Sequence, residues 1–277
     1  MRTVARALFA VLSCCAASAL AQGVAFITDL KGSVSVDGST RAHVLSELAK
    51  GQRIVVDKEG AASVMYIASG KEYSLKGPGE FVVKEAELAT STGGALSARS
   101  TEWRASNKVL AQVAKTSSAS VRMRSLAPAK VDRTPRLVFP VEGNVATLQP
   151  TFRWVAADPA VESQLTLLVA GQEKPVHRAK PKGDSYPLAT KLKPGTEYVW
   201  VVAAGGNEIG TGKFRTLPAD AIRLVEKRKP SDRADFSDRV LHAMLLQEMG
   251  ATQEARESWS RLAQERTDLP ELSALAK

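Results

Sequence analysis

The sequence predicts a mainly β protein: two small β domains followed by a C-terminal α-helical hairpin. Three observations carry this. Short apolar runs separated by glycine-containing turns fill residues 22–102. A second set, with apolar and aromatic residues at every other position, fills 135–218. After Ala219 the apolar spacing changes to that of a helix. With 277 residues the chain is long enough for two domains, and 44% hydrophobic residues are enough for packed cores.

Residues 1–21 read as an address and not as part of the fold. Arg2 and Arg6 form a positive start, Ala7 to Ala19 is small and apolar, and Ala19-Leu20-Ala21 is an A-x-A cleavage site. This is the pattern of a secretory signal peptide cut after Ala21, which predicts a periplasmic location. The apolar run is well short of the roughly 20 residues a spanning helix needs. Leu12-Ser13-Cys14-Cys15 partly fits a lipoprotein pattern, so lipid anchoring and full secretion are the alternatives. Cys14 and Cys15 are the only cysteines, so cleavage after Ala21 leaves a chain without disulfide, thiol nucleophile or thiolate metal site.

In residues 22–102 the runs are Val24 to Ile27, Ser33 to Val36, Ile54 to Val56, Val64 to Ile67, Glu72 to Leu75 and Phe81 to Val83. Turns are expected at Lys31-Gly32, Asp37-Gly38, Lys50-Gly51, Glu59-Gly60, Ser69-Gly70, Gly77-Pro78-Gly79 and Gly93-Gly94, and a single helical turn at Val44 to Ala49. Residues 103–134 change character. Ala105, Val109 and Val113 recur at helical spacing, then Ser and Pro residues break the pattern, giving a basic helix and linker. The second β domain has runs at Leu137 to Phe139, Thr151 to Val155, Leu165 to Val169, Tyr198 to Val202 and Lys213 to Leu217. Phe152 with Trp154, and Tyr198 with Trp200 and Val202, fall on one face of their strands. In 219–277, Phe236, Val240 and Met244 lie on one helix that ends at Gly250, and Ala255, Trp259 and Leu262 lie on a second that Pro270 stops.

The net charge of +9 is uneven. From Trp103 to Arg136 eight basic residues face only Asp132. One reading is contact with an anionic membrane surface, the other a solvated, extended linker, and the second is the simpler. Nucleic acid is not an expected partner, because the segment lacks interleaved aromatics.

No catalytic, cofactor-binding or metal-binding residue is assigned, and no cofactor is expected. His43, His177 and His242 fall in three different segments, without metal-ligand spacing. There is no G-x-S-x-G elbow and no calcium loop, and Gly205-Gly206 and Gly210 read as hairpin turns. A carboxylate pair brought together by folding is the remaining route to an enzyme, with one member's pKa raised.

Three segments resemble known modules. Lys31 to Val36, Leu48 to Ile54, Ala61 to Tyr66 and Gly70 to Leu75 resemble the periplasmic FecR-type domain. Members of that family sense an outer-membrane receptor and control a sigma factor through a cytoplasmic domain ahead of a transmembrane helix. This chain shows only a cleavable signal, so sigma-factor control is not carried over. Leu192 to Tyr198 is similar to the tyrosine corner of a fibronectin type III-like sandwich, and Trp154 supplies its core tryptophan, so both aromatics are expected to be structural. Gly250, Ala255, Trp259 and Leu262 are similar to part of one tetratricopeptide repeat. One repeat cannot bury its own face, so the tail is expected to pack on the sandwich or on a partner. The function these features imply is a binding, scaffolding or signalling accessory role in the envelope, with a protein or glycan partner. The alternative is an envelope hydrolase using a carboxylate pair.

Overall fold

Strand β1 (Ala25–Lys31) is buried along nearly its whole length, with Ala25, Phe26, Ile27 and Thr28 all fully enclosed. A strand half-covered by solvent would alternate; this one is covered on both faces. In this computed structural model, which describes residues 23–101, 134–231 and 233–277, the second cover comes from the far end of the chain. The signal-like segment and the basic helix and linker lie outside the described residues.

The first domain is one curled, antiparallel eight-stranded sheet. It comprises β1, β2 (Val34–Val36), β3 (Thr40–Arg41), β4 (Glu47–Leu48), β5 (Arg53–Val56), β6 (Ala61–Tyr66), β7 (Lys71–Val83) and β8 (Leu88–Ser100). The order is β3-β2-β5-β7-β6-β1-β4, with β8 also paired to β7. The first half of β7 pairs with β6 and the second half with β5, while β8 follows it throughout.

Three expectations change here. Gly77-Pro78-Gly79 is not a turn between strands but the bend inside β7. A Cβ at Gly77 would overlap the backbone oxygen of Asp57, so only glycine lets the strand pass this close to the β5–β6 connection. Gly93-Gly94 likewise lies inside β8, at positive φ (54° and 71°), where the pairing with β7 shifts register opposite that bend. Finally, no helical turn forms at Val44 to Ala49. Leu45 takes φ 69° in a tight turn and donates its N–H to Ile27 O, after which Glu47–Leu48 joins the sheet beside β1.

The second domain packs a five-stranded sheet, β10-β16-β15-β12-β13, on a three-stranded one, β14-β11-β9. Its strands are β9 (Arg136–Phe139), β10 (Asn144–Val145), β11 (Thr151–Val155), β12 (Ser163–Val169), β13 (His177–Ala179), β14 (Ser185–Pro187), β15 (Glu197–Ala204) and β16 (Asn207–Thr216). Phe152, Trp154, Tyr198, Trp200 and Phe214 meet in a core separate from the first. Phe152 and Trp200 have ring centroids 4.8 Å apart, and Trp200 Nε1–H donates to Pro140 O at 2.6 Å. Tyr198 Oη accepts the Lys193 N–H at 2.9 Å, so the corner is built as a fibronectin type III-like sandwich builds it. Gly205-Gly206 makes the β15–β16 turn, whereas Gly210 lies within β16, where a side chain would press on Leu137.

The tail contains α1 (Ala219–Lys227), α2 (Phe236–Glu248), α3 (Thr252–Glu265) and the short α4 (Leu272–Leu275). Gly250 separates α2 from α3 at φ 74°, as its position requires. The second long helix stops at Glu265, five residues before Pro270, because Arg266 leaves helical geometry and turns its side chain to Asp29 and Asp268.

The tail does not take the sandwich as its main support. Val240, Leu241, Met244, Leu245, Trp259 and Leu262 share one apolar core with Ala25, Ile27, Leu48 and Val64 of the first domain. The sandwich adds only Ala146 and Leu217 to that core and otherwise meets the tail through polar contacts. Gln253 Oε1 accepts the Val141 N–H (2.7 Å), Asn144 donates to Met249 O (2.9 Å), and Arg153 pairs with Glu257. The chain therefore forms two cores, the first assembled from both ends of the described sequence.

Candidate functional site

A few charged residues fasten the first domain to the tail. Glu72 is 2% exposed, although it occupies a strand position next to exposed Lys71. Its Oε1 accepts from Thr28 Oγ1 (3.0 Å) and from Ser237 Oγ, and Arg99 pairs with its other oxygen. The same guanidinium reaches Asp238 on α2 at 2.7 Å. Hydrogen bonds to all sides are what make a buried carboxylate tolerable. A second fastening is Glu271, 5% exposed, which accepts the Val44 N–H at 2.9 Å. Arg266 makes the third: it reaches Asp29 and the Leu30 carbonyl and lies over the Phe236 ring, 5.0 Å from its centroid.

Beside these joints runs a groove of about 610 Å³ between the sheet and helices α2 and α3. Lys31, Lys76 and Ser74 come from the sheet side, and Asp235, Arg239 and Glu265 from the helices. Arg239 is held by Glu265 in a two-pronged pair, which keeps the guanidinium charged and the carboxyl below its usual range. Along the neighbouring edge, β8 presents thirteen residues, most of them exposed and small or polar, and pairs only with β7 among the described strands.

No family model matches the chain, and no curated protein matches it. Among solved structures, the chain is similar to the central fibronectin-III array of RIM-binding protein. That similarity has 13% identity and a TM-score of 0.22, over 67% of this chain and 56% of the array. The chain thus spans little more than half of that structure's length.

The residues singled out in the sequence are dispersed. His43 is exposed, with Nδ1 4.0 Å from Glu271. His177 shares a 2.8 Å hydrogen bond with Tyr186 on the facing sheet, which closes the seam between β13 and β14. His242 is half-buried on α2. Trp154 and Tyr198 are in the sandwich core. Among the described residues, no group of three His, Cys, Asp or Glu side chains is placed to hold a metal ion.

One carboxylate has the raised pKa that an acid–base pair needs. Burial pushes Glu254 up to about 7, with Glu257 adding a smaller electrostatic push. Its Oε2, however, accepts the Ala146 N–H at 2.8 Å, and Glu257 is paired to Arg153. Both carboxylates are committed to holding α3 against the sandwich.

Sequence reasoning missed Glu72, Arg99, Ser237 and Arg266. A lone Glu in a strand and an Arg at a helix end read as surface residues. The available signal was the unbroken apolar run Val24 to Ile27, which announces a strand needing cover on both faces.

Proposed function

We propose that this is an exported, non-catalytic protein of the cell envelope that binds a protein or glycan partner and acts as a scaffold or signalling accessory. The observation that carries this reading is the edge of β8 beside the groove, which no second strand covers among the described residues. Among the described residues the outer side of this thirteen-residue strand is unpaired, so about every second residue offers its backbone donor and acceptor, the means by which sheets take up an extended segment of another molecule. Its threonines, serines and glycines keep that edge polar, which limits self-association.

The signal-like residues 1–21 support the export part of the proposal, and the FecR-type motifs of the first domain support a signalling accessory role. The commitment of Glu72, Glu254 and Glu257 to structural joints favours binding over hydrolysis. Among the described residues no helix is long and apolar enough to cross a membrane.

Crosslinking in intact cells, with a photoreactive residue at Thr92 or Ser97 on β8, tests the reading. A single dominant partner that is lost when proline replaces neighbouring β8 residues is the expected result. Adducts no different from those of a probe on the sandwich surface would refute it. A deletion strain with unchanged envelope signalling would remove the signalling role alone.

A further inference from the structure

The connection from α1 to α2 carries Lys229, Pro230 and Ser231 over one side of the α2–α3 hairpin. Beneath it is a cavity of about 320 Å³. Helix α2 contributes Arg239 and His242, three residues apart, and α3 contributes Ser258, Arg261 and Leu262. These spacings put each set on one face of its helix. Its volume is at the lower end of small-molecule sites.

Among its described lining residues the cavity is cationic. Lys229, Arg239 and Arg261 line it, and no carboxylate is among its described lining residues. Arg239 gives two nitrogens to Glu265, which leaves its Nε buried without an acceptor. Arg261 has one long hydrogen bond, to Ser258 Oγ at 3.4 Å. His242 Nδ1 is also buried without a partner. Burial holds the imidazole pKa down, and the nearby Lys229 and Arg261 charges lower it further. A buried donor left unpaired costs free energy, and the charges of Lys229 and Arg261 repel each other across the cavity; a bound anion would give Arg239 Nε an acceptor and offset both charges.

We propose that this cavity binds a phosphate-bearing group. A carboxylate brings one charge and two oxygens, whereas a phosphate monoester brings close to two charges and three strong acceptor oxygens, a better match to the two cations Lys229 and Arg261 together with the open N–H of Arg239. The guanidinium of Arg261 supplies fork geometry and Lys229 a mobile point charge. The phosphate can belong to a soluble phosphorylated molecule or to a lipid headgroup, because the shared chemistry is the same. This site is remote in sequence from both the basic segment 103–134 and β8, so it stands or falls independently of the proposed partner surface.

The test uses the full chain. Inorganic phosphate is titrated calorimetrically at constant ionic strength with chloride as the control, and cosedimentation is measured with phosphatidylcholine vesicles with and without phosphatidylglycerol. Saturable binding, weakened about tenfold or more in both Lys229→Gln and Arg261→Gln, is the expected result. Both side chains are exposed, so the variants should melt like the parent, and circular dichroism checks that. Variant-sensitive binding to inorganic phosphate alone identifies a soluble ligand; variant-sensitive binding to the anionic vesicles identifies a headgroup. No saturable binding to either, or binding that both variants leave intact, overturns the proposal.

Discussion

Arg266 donates to Asp29 at 2.7 Å across 237 positions of sequence, tying the end of α3 to the first strand of the fold. Both side chains are largely enclosed (14% and 18% exposed), and Arg266 also serves Asp268 and the Leu30 carbonyl. Arg266→Ala is therefore expected to cost about 2 kcal/mol, more than an exposed pair would. Urea unfolding checks this. A double-mutant cycle with Asp29→Ala should return a coupling of about 1 kcal/mol, and additive losses would show that the pair contributes nothing of its own.

The two cores predict different behaviour for fragments. Residues 134–218 contain the whole sandwich core and should unfold cooperatively on their own. Residues 23–101 without the tail leave Ile27, Leu48 and Val64 uncovered and should be molten or aggregated. Near-ultraviolet circular dichroism and analytical sedimentation of each fragment distinguish the outcomes. A well-folded 23–101 would mean the tail is an accessory and not part of that core.

Glu254 should make the sandwich–tail junction sensitive to pH. Its pKa is near 4.5 when unfolded and about 7 when folded, so the folded state favours the protonated form. The associated stability is fully present below pH 4.5 and is lost as pH rises through 7. The loss is of order 1–3 kcal/mol. Unfolding followed from pH 5 to 8 should show the parent falling more steeply than Glu254→Gln, whose amide still accepts the Ala146 N–H. Parallel curves would rule the effect out.

Gly77→Ala should be among the most damaging single-methyl changes in the first domain. The added carbon would meet the Asp57 backbone oxygen, which cannot swing aside as a side chain can. A loss of about 3 kcal/mol is expected from forced backbone movement. Gly38→Ala provides the control, since a Cβ there meets nothing within 4 Å and faces only the backbone penalty of φ 73°. Equal losses at the two sites would contradict the close approach.

Period-two placement of Phe152, Trp154, Tyr198 and Trp200 was readable in the sequence because strands of a sandwich bury one face each, and local spacing reports that directly. Gly250 was readable for the same kind of reason, since a helix end needs a particular backbone conformation. The bend in β7 was not, because Gly-Pro-Gly carries the same local signature whether a strand turns back or is crossed closely by another. β8 escaped as well: Thr, Ser and Gly with few apolar residues lack the pattern of a half-buried strand, and its place is set by β7 beside it. Which surface the tail would cover lay further from local reading still. The helices showed an apolar face, but only the doubly buried β1 and the carboxylate of Glu72 specify where it docks. The cavity beneath Lys229 combines a turn with residues from two helices, a grouping that spacing within either helix cannot reveal.

Because the first domain is completed by α2 and α3, order of synthesis and order of folding run in opposite directions. The sheet emerges before the sandwich, yet its apolar interior stays open until α2 and α3 have been made, while the sandwich between them can already be finished. The sheet, made ahead of the sandwich, thus matures after it, and for that interval it has the greater need of a chaperone.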